Sequence, residues 1–112
     1  MGTYAGMTRS VLFFSILPGR RDAFVAGFRR LDVLGRASRQ PGFRRSQLHL
    51  PVDGGDEALV TADWDSPAAY QGWLDNPVRA EIQAELGPLL AADPVPRVYE
   101  VVDDVVPPEG AP

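Results

Sequence analysis

The chain reads as an α+β domain of order βαββαβ, the ferredoxin-like arrangement in which helices cover one face of a four-stranded antiparallel sheet. Three observations carry this. Ser10 to Leu17 (SVLFFSIL) is almost continuously apolar and stops at Pro18-Gly19. Phe43 to Leu50 and Ala58 to Trp64 flank the turn-rich PVDGGDE, a hairpin pattern. Helical spacing fills the two intervals left over, and VPRVYEVV closes the chain as a strand.

Each element follows from its residues. The first strand has β-formers throughout, with Val11, Phe13, Ser15 and Leu17 on one side and Leu12, Phe14 and Ile16 on the other. From Arg20 to about Arg39, Phe24, Phe28, Leu31 and Leu34 recur at helical spacing among arginines, which predicts one amphipathic helix ended by Gln40-Pro41-Gly42. Ser66-Pro67 is a helix start, with Ser as N-cap and Pro where its missing N–H costs nothing. That second helical region kinks at Asn76-Pro77, is interrupted again at Gly87-Pro88, and points Val78, Ile82, Leu86, Leu89 and Leu90 inward. Val95 to Val102 forms the last strand.

With 112 residues, 45% of them hydrophobic, the chain suits one domain with a real core. We place it at residues 9–104, between a loose arm over 1–8 and a disordered Pro-rich tail over 105–112. The absence of cysteine excludes disulfides, thiolate nucleophiles and Cys-type metal sites, and suits a reducing cytoplasm. One histidine and scattered carboxylates give no expected metal site, and Asp53, Asp56 and Glu57 lack the ligand spacing of a calcium loop. No apolar run reaches the roughly 20 residues of a membrane span. The net charge of -4 opposes nucleic acid, so the arginine-rich first half reads as solvated helix surface.

Two helical regions cover only one face of such a sheet, yet the first strand is apolar on both. A second copy of the chain is the expected cover, which predicts a homodimer packed sheet to sheet.

The candidate site is the corner where Trp64 ends a strand and the next helix carries Tyr70 and Trp73, since side chains of both elements meet over the sheet there. Each aromatic also has a packing reading: Trp64 shares its strand face with Val60 and Ala62 as a core anchor, and a buried Tyr70 needs a hydrogen-bond partner of some kind. His49 alternates with Gln47 and Arg45, the pattern of a solvated strand face.

Leu17-Pro18-Gly19, Gln40-Pro41-Gly42-Phe43, Trp64-Asp65-Ser66-Pro67-Ala68-Ala69-Tyr70 and Trp73-Leu74-Asp75-Asn76-Pro77 together resemble the antibiotic biosynthesis monooxygenase family over roughly Ser10 to Asp103. The resemblance implies a dimeric α+β barrel of ferredoxin-like type. It also implies cofactor-independent oxygenation, by dioxygen, of an aromatic polyketide or similar phenolic small molecule in secondary metabolism. Trp64 and Tyr70 match the family's catalytic aromatics in place, while Val60 stands where polyketide-oxidising relatives have Asn and Gln83 where they have Arg. Arg79, one helical turn earlier, supplies a similar charge. On this reading Trp64, Tyr70 and Arg79 are catalytic, and Trp73, Val60, Gln83 and Phe28 bind substrate. Haem-degrading relatives share Trp73, but Leu12 replaces their first-strand Asn and Gln83 falls at their ligating His, so no haem or other cofactor is expected. A non-oxidative polyketide cyclase or isomerase, and a non-catalytic binding module, are the alternatives on the same scaffold.

Overall fold

The computed structural model describes residues 6–110; the first five residues of the expected N-terminal arm and the last two of the expected tail lie outside that range. The elements are β1 (Thr8–Ser15), α1 (Arg21–Arg30), α2 (Val33–Ser38), β2 (Phe43–His49), β3 (Glu57–Trp64), α3 (Pro67–Leu74), α4 (Val78–Leu86), a 3₁₀ turn (Gly87–Leu89) and β4 (Val95–Glu100). All neighbouring strands run antiparallel in the order β2-β3-β1-β4. This is the ferredoxin-like α+β fold.

Several boundaries differ from the sequence reading, most of all those of the first strand and the first helix. β1 begins at Thr8 and its ladder ends at Ser15, after which Ile16 makes only an isolated bridge to Leu90. The single helix expected from Arg20 to Arg39 is two. Asp32 adopts the left-handed conformation (φ 50°, ψ 48°), its N–H donating back to Arg29 while its carbonyl accepts from Arg36 to start α2. Aspartate tolerates that conformation better than most residues, and Gly35 leaves room for its carboxylate where any Cβ would collide. The breaks at Asn76-Pro77 and Gly87-Pro88 fall where expected.

Strand pairing sorts the side chains into rows. On the helix-covered face one row reads Leu48, Val60, Leu12, Pro96; the next reads Ser46, Ala62, Ser10, Val98; the third reads Phe43, Trp64, Thr8, Glu100. On the reverse face the rows are His49, Leu59, Phe13, Val95; then Gln47, Thr61, Val11, Arg97; then Arg45, Asp63, Arg9, Tyr99. The main core lies between Phe14 and Ile16 of β1, Phe24, Phe28 and Leu31 of the first helical region, and Ile82 and Leu86 of α4. Phe24 is fully buried and meets Phe14 at a centroid distance of 5.0 Å. A second cluster under α3 joins Trp64, Ala62 and Ala37 to Phe43, Ala69, Tyr70 and Trp73.

The reverse face is only partly apolar. Phe13 and Val95 are exposed in its first row, whereas its third row is held by an Arg9–Asp63 ion pair at 2.6 Å with Asp63 buried. Asp63 draws the Arg9 guanidinium pKa above its ordinary value, chiefly by hydrogen bonding. His49 lies on this face too, its Nε2 3.0 Å from Thr61 Oγ1, and so points away from the helices. Beyond Glu100 the described chain forms no further strand or helix, and Val102, Val105 and Val106 are exposed.

Candidate functional site

Between sheet and helices lies a cavity of about 1100 Å³. Its existence follows from side-chain size. The row Ser46, Ala62, Ser10 is built from small residues, so the floor is low between the bulky Trp64 row and the apolar Leu48, Val60, Leu12 row. Lining side chains come from β1 (Leu12, Phe14), β2 (Ser46), β3 (Val60, Ala62) and β4 (Pro96, Val98). With strands spaced about 4.8 Å apart, this floor spans roughly 14 Å. α1 and α2 contribute Phe28, Val33, Leu34 and Ala37, α3 contributes Tyr70, Trp73 and Leu74, and α4 contributes Arg79, Ile82, Gln83 and Leu86. The segment from Leu90 to Pro94 borders the β4 side.

The α3 wall is placed by local chemistry. Ser66 caps the helix, its Oγ accepting from the Ala69 N–H at 3.2 Å, and Pro67 occupies the first helical position. The turn before β2 helps: Gly42 at φ 84° accepts the Asp65 N–H at 2.8 Å and leaves space that a Cβ would take from Ala69. α3 can therefore lie close over the sheet and hold Tyr70 and Trp73 at the cavity. The roof is tied by ion pairs from Arg30 of α1 to Glu85 and from Arg36 of α2 to Glu81, both on α4.

Of the residues expected at the site, Tyr70, Arg79, Trp73, Val60, Gln83 and Phe28 all line this one cavity. Trp64 does not. It is fully buried beneath α3, edge-on to Phe43 at 5.5 Å and tilted against Tyr70 at 5.9 Å. Its indole N–H donates to Ser10 Oγ at 3.1 Å, and Ser10 in turn donates to the Ala62 carbonyl at 3.4 Å. In this geometry Trp64 has no free donor to offer a ligand and acts as the wall behind Tyr70. A strand-end aromatic adjacent in sequence to the site helix is thus behind the site rather than in it.

Tyr70 is half-buried, and desolvation raises its pKa above the ordinary 10.0, an effect the nearby positive charge of Arg79 partly offsets. At neutral pH it is a phenol, a hydrogen-bond donor and not a base. Arg79 enters none of the ion pairs among the described residues, which leaves its charge available at the cavity. Sequence reasoning missed the sheet floor, including Leu12, Phe14, Ala62 and Ser46. The signal was present in the hairpin register, since Ser46 alternates with Leu48 on the strand that pairs with Val60 and Ala62. Among the described residues no group of three or more His, Cys, Asp or Glu is placed to hold a metal ion, and no helix is long and apolar enough to cross a membrane.

One layer of helices over an antiparallel sheet, with an apolar cavity between them and a phenol and a guanidinium at its wall, defines the class: a ferredoxin-like α+β domain. The sequence model described as antibiotic biosynthesis monooxygenase matches residues 7–85, and the chain belongs to that family. Among solved structures it is similar to SnoaB, a cofactor-independent oxygenase from Streptomyces nogalater, with a TM-score of 0.74 and 22% identity, covering 92% of this chain and 99% of that one. It is also similar to Rv0793 from Mycobacterium tuberculosis, with a TM-score of 0.74 and 20% identity, covering 89% of this chain and 99% of that one. These likenesses show the fold. An uncharacterized protein of Synechococcus elongatus is 28% identical over 92 residues, 81% of this chain. The chain spans 43% of that curated relative's length.

Proposed function

We propose that the chain is a cofactor-independent oxygenase acting on an aromatic polyketide or similar phenolic small molecule. The observation that carries this reading is the cavity of about 1100 Å³, apolar on its floor, with Tyr70 and Arg79 both at its wall. An aromatic of several fused rings fits such a space, and family membership supports the chemistry.

An electron-rich phenolic ring system, once deprotonated, reacts with dioxygen without help from a metal or flavin. At a ring methylene, one atom of dioxygen becomes the new carbonyl oxygen and the other leaves as water with the two methylene hydrogens. The protein's part is to favour the anion, orient it and exclude bulk water. Arg79 lowers the cost of the substrate anion. Tyr70, held as a phenol, donates a hydrogen bond to the oxygen where charge accumulates. Trp64 keeps Tyr70 in place, and Trp73, Val60 and Phe28 supply apolar contact, with Gln83 as a further polar neighbour. SnoaB, a cofactor-independent oxygenase, shares this fold.

The test is oxygen uptake by chelator-treated protein given a polyphenolic anthrone. One dioxygen consumed per quinone formed, with Tyr70→Phe reducing turnover about tenfold or more, supports the proposal. Product formed at full rate under anaerobic conditions would overturn it in favour of a cyclase or isomerase, and ligand binding without turnover would reduce the domain to a binding module.

A further inference from the structure

The row of small residues on the cavity floor holds two serines that differ in one respect. Ser10 Oγ is engaged on both sides, accepting from Trp64 and donating to Ala62. Ser46 Oγ is buried and has no hydrogen-bond partner among the described residues. A buried polar atom left unpaired is destabilising, and the great majority of such atoms in folded proteins are satisfied. Strand pairing sets Ser46 beside Ala62, on the helix-covered face and at the cavity, while its hydroxyl sits shielded. Because nothing bonds the hydroxyl in that position, a turn about χ1 to another staggered position sacrifices no hydrogen bond.

Resting on the cavity reading above, we propose that Ser46 is a ligand-binding residue whose hydroxyl turns to meet an oxygen substituent of the bound aromatic. The residue lies on β2, the outermost strand on the side away from β4, with Leu48 and Ala62 as its apolar neighbours on the sheet face. A neutral hydroxyl in such surroundings suits a phenol or keto oxygen better than a carboxylate, whose charge a hydroxyl alone does not compensate. Ser46 therefore selects ligands that carry a neutral oxygen at the edge of the ring system lying over β2. Arg79, on the opposing helix layer, serves the ionised part of the same molecule.

The test uses two unreactive fluorescent probes matched in shape, 1-hydroxypyrene and 1-methylpyrene, titrated against wild-type, Ser46→Ala and Ser46→Thr proteins. The expected result is that Ser46→Ala weakens 1-hydroxypyrene about fivefold, the worth of one neutral hydrogen bond, and leaves 1-methylpyrene within about twofold. Ser46→Thr, which keeps a hydroxyl, restores the preference. Ligand-free Ser46→Ala should melt at or above the wild-type temperature, since it removes an unpaired polar atom, and this separates a binding role from a structural one. Equal weakening of both probes, or no change in either, overturns the role of Ser46 while leaving the cavity reading intact. Failure of both probes to bind the wild-type chain overturns the cavity reading and this proposal with it.

Discussion

Trp64 shows how one residue can be placed correctly along the chain and still sit on the wrong side of a cavity wall. Its N–H is committed to Ser10 and its ring is sealed by Phe43 and Tyr70, so Trp64→Phe is expected to lower stability by about 2 kcal/mol, through lost burial and a stranded serine. Urea titration checks this, as a lower midpoint with an unchanged slope. Tyr70 behaves differently, because it is half-buried and faces the cavity. Its raised pKa favours the protonated form in the folded state, so its contribution to stability is complete below pH 10 and is lost as pH rises through the folded-state pKa. Arg79→Ala removes the charge that offsets desolvation, and the Tyr70 titration, followed by tyrosinate absorbance against a Tyr70→Phe control, should move to higher pH. A midpoint that stays put would separate the two side chains. The sequence brought Tyr70 and Trp73 together on the helix after a clear start signal, while Arg79 entered through the family resemblance, and all three line the cavity. The depth of Trp64 and the place of Ser46 on the cavity floor were not legible, because alternation tells which face a side chain takes and says nothing of how close the next layer packs.

At the scale of elements, the signals that carried were those with a local mechanism. Ser66-Pro67 starts α3 where capping chemistry requires, and Ser66→Ala should cost about 1 kcal/mol by freeing the Ala69 N–H. Thermal or urea unfolding measures that loss, and Ser66→Gly should recover most of it; an unchanged midpoint in Ser66→Ala would mean the cap does not hold the helix. The break between α1 and α2 was not legible, since Phe24, Phe28, Leu31 and Leu34 keep an unbroken helical rhythm across it. What interrupts the helix is a left-handed Asp32 made possible by Gly35, a pairing that periodicity does not register. The consequence reaches the site, because α2 restarted at Val33 carries Val33, Leu34 and Ala37 to the cavity. The hairpin and the last strand were readable from turn residues and β-formers, with ends that shifted by a residue or two where pairing partners ran out.

For the molecule as a whole, the reverse face of the sheet is where the expected homodimer is to be tested. Helices cover only the Leu12, Phe14 and Ile16 side of β1, while Phe13 and Val95 stand exposed on the other in a row shared with Leu59 and His49. That row is the natural centre of a two-fold contact, because each copy presents the same apolar strip and the Arg9–Asp63 row can flank it. The homodimer inferred from the two-sided strand thus becomes a proposal with a specific address. Phe13→Asp places a charge at the middle of the strip, where burial against a second copy would leave it uncompensated, yet on a lone subunit it would remain in water. Sedimentation should find the wild-type chain dimeric at micromolar concentration and Phe13→Asp monomeric with an unaltered circular dichroism spectrum. Val52→Asp, on a fully exposed turn, should remain dimeric and controls for added charge. If the wild-type chain sediments as a monomer, the exposed strip has another purpose; if Phe13→Asp remains dimeric, the subunits meet elsewhere.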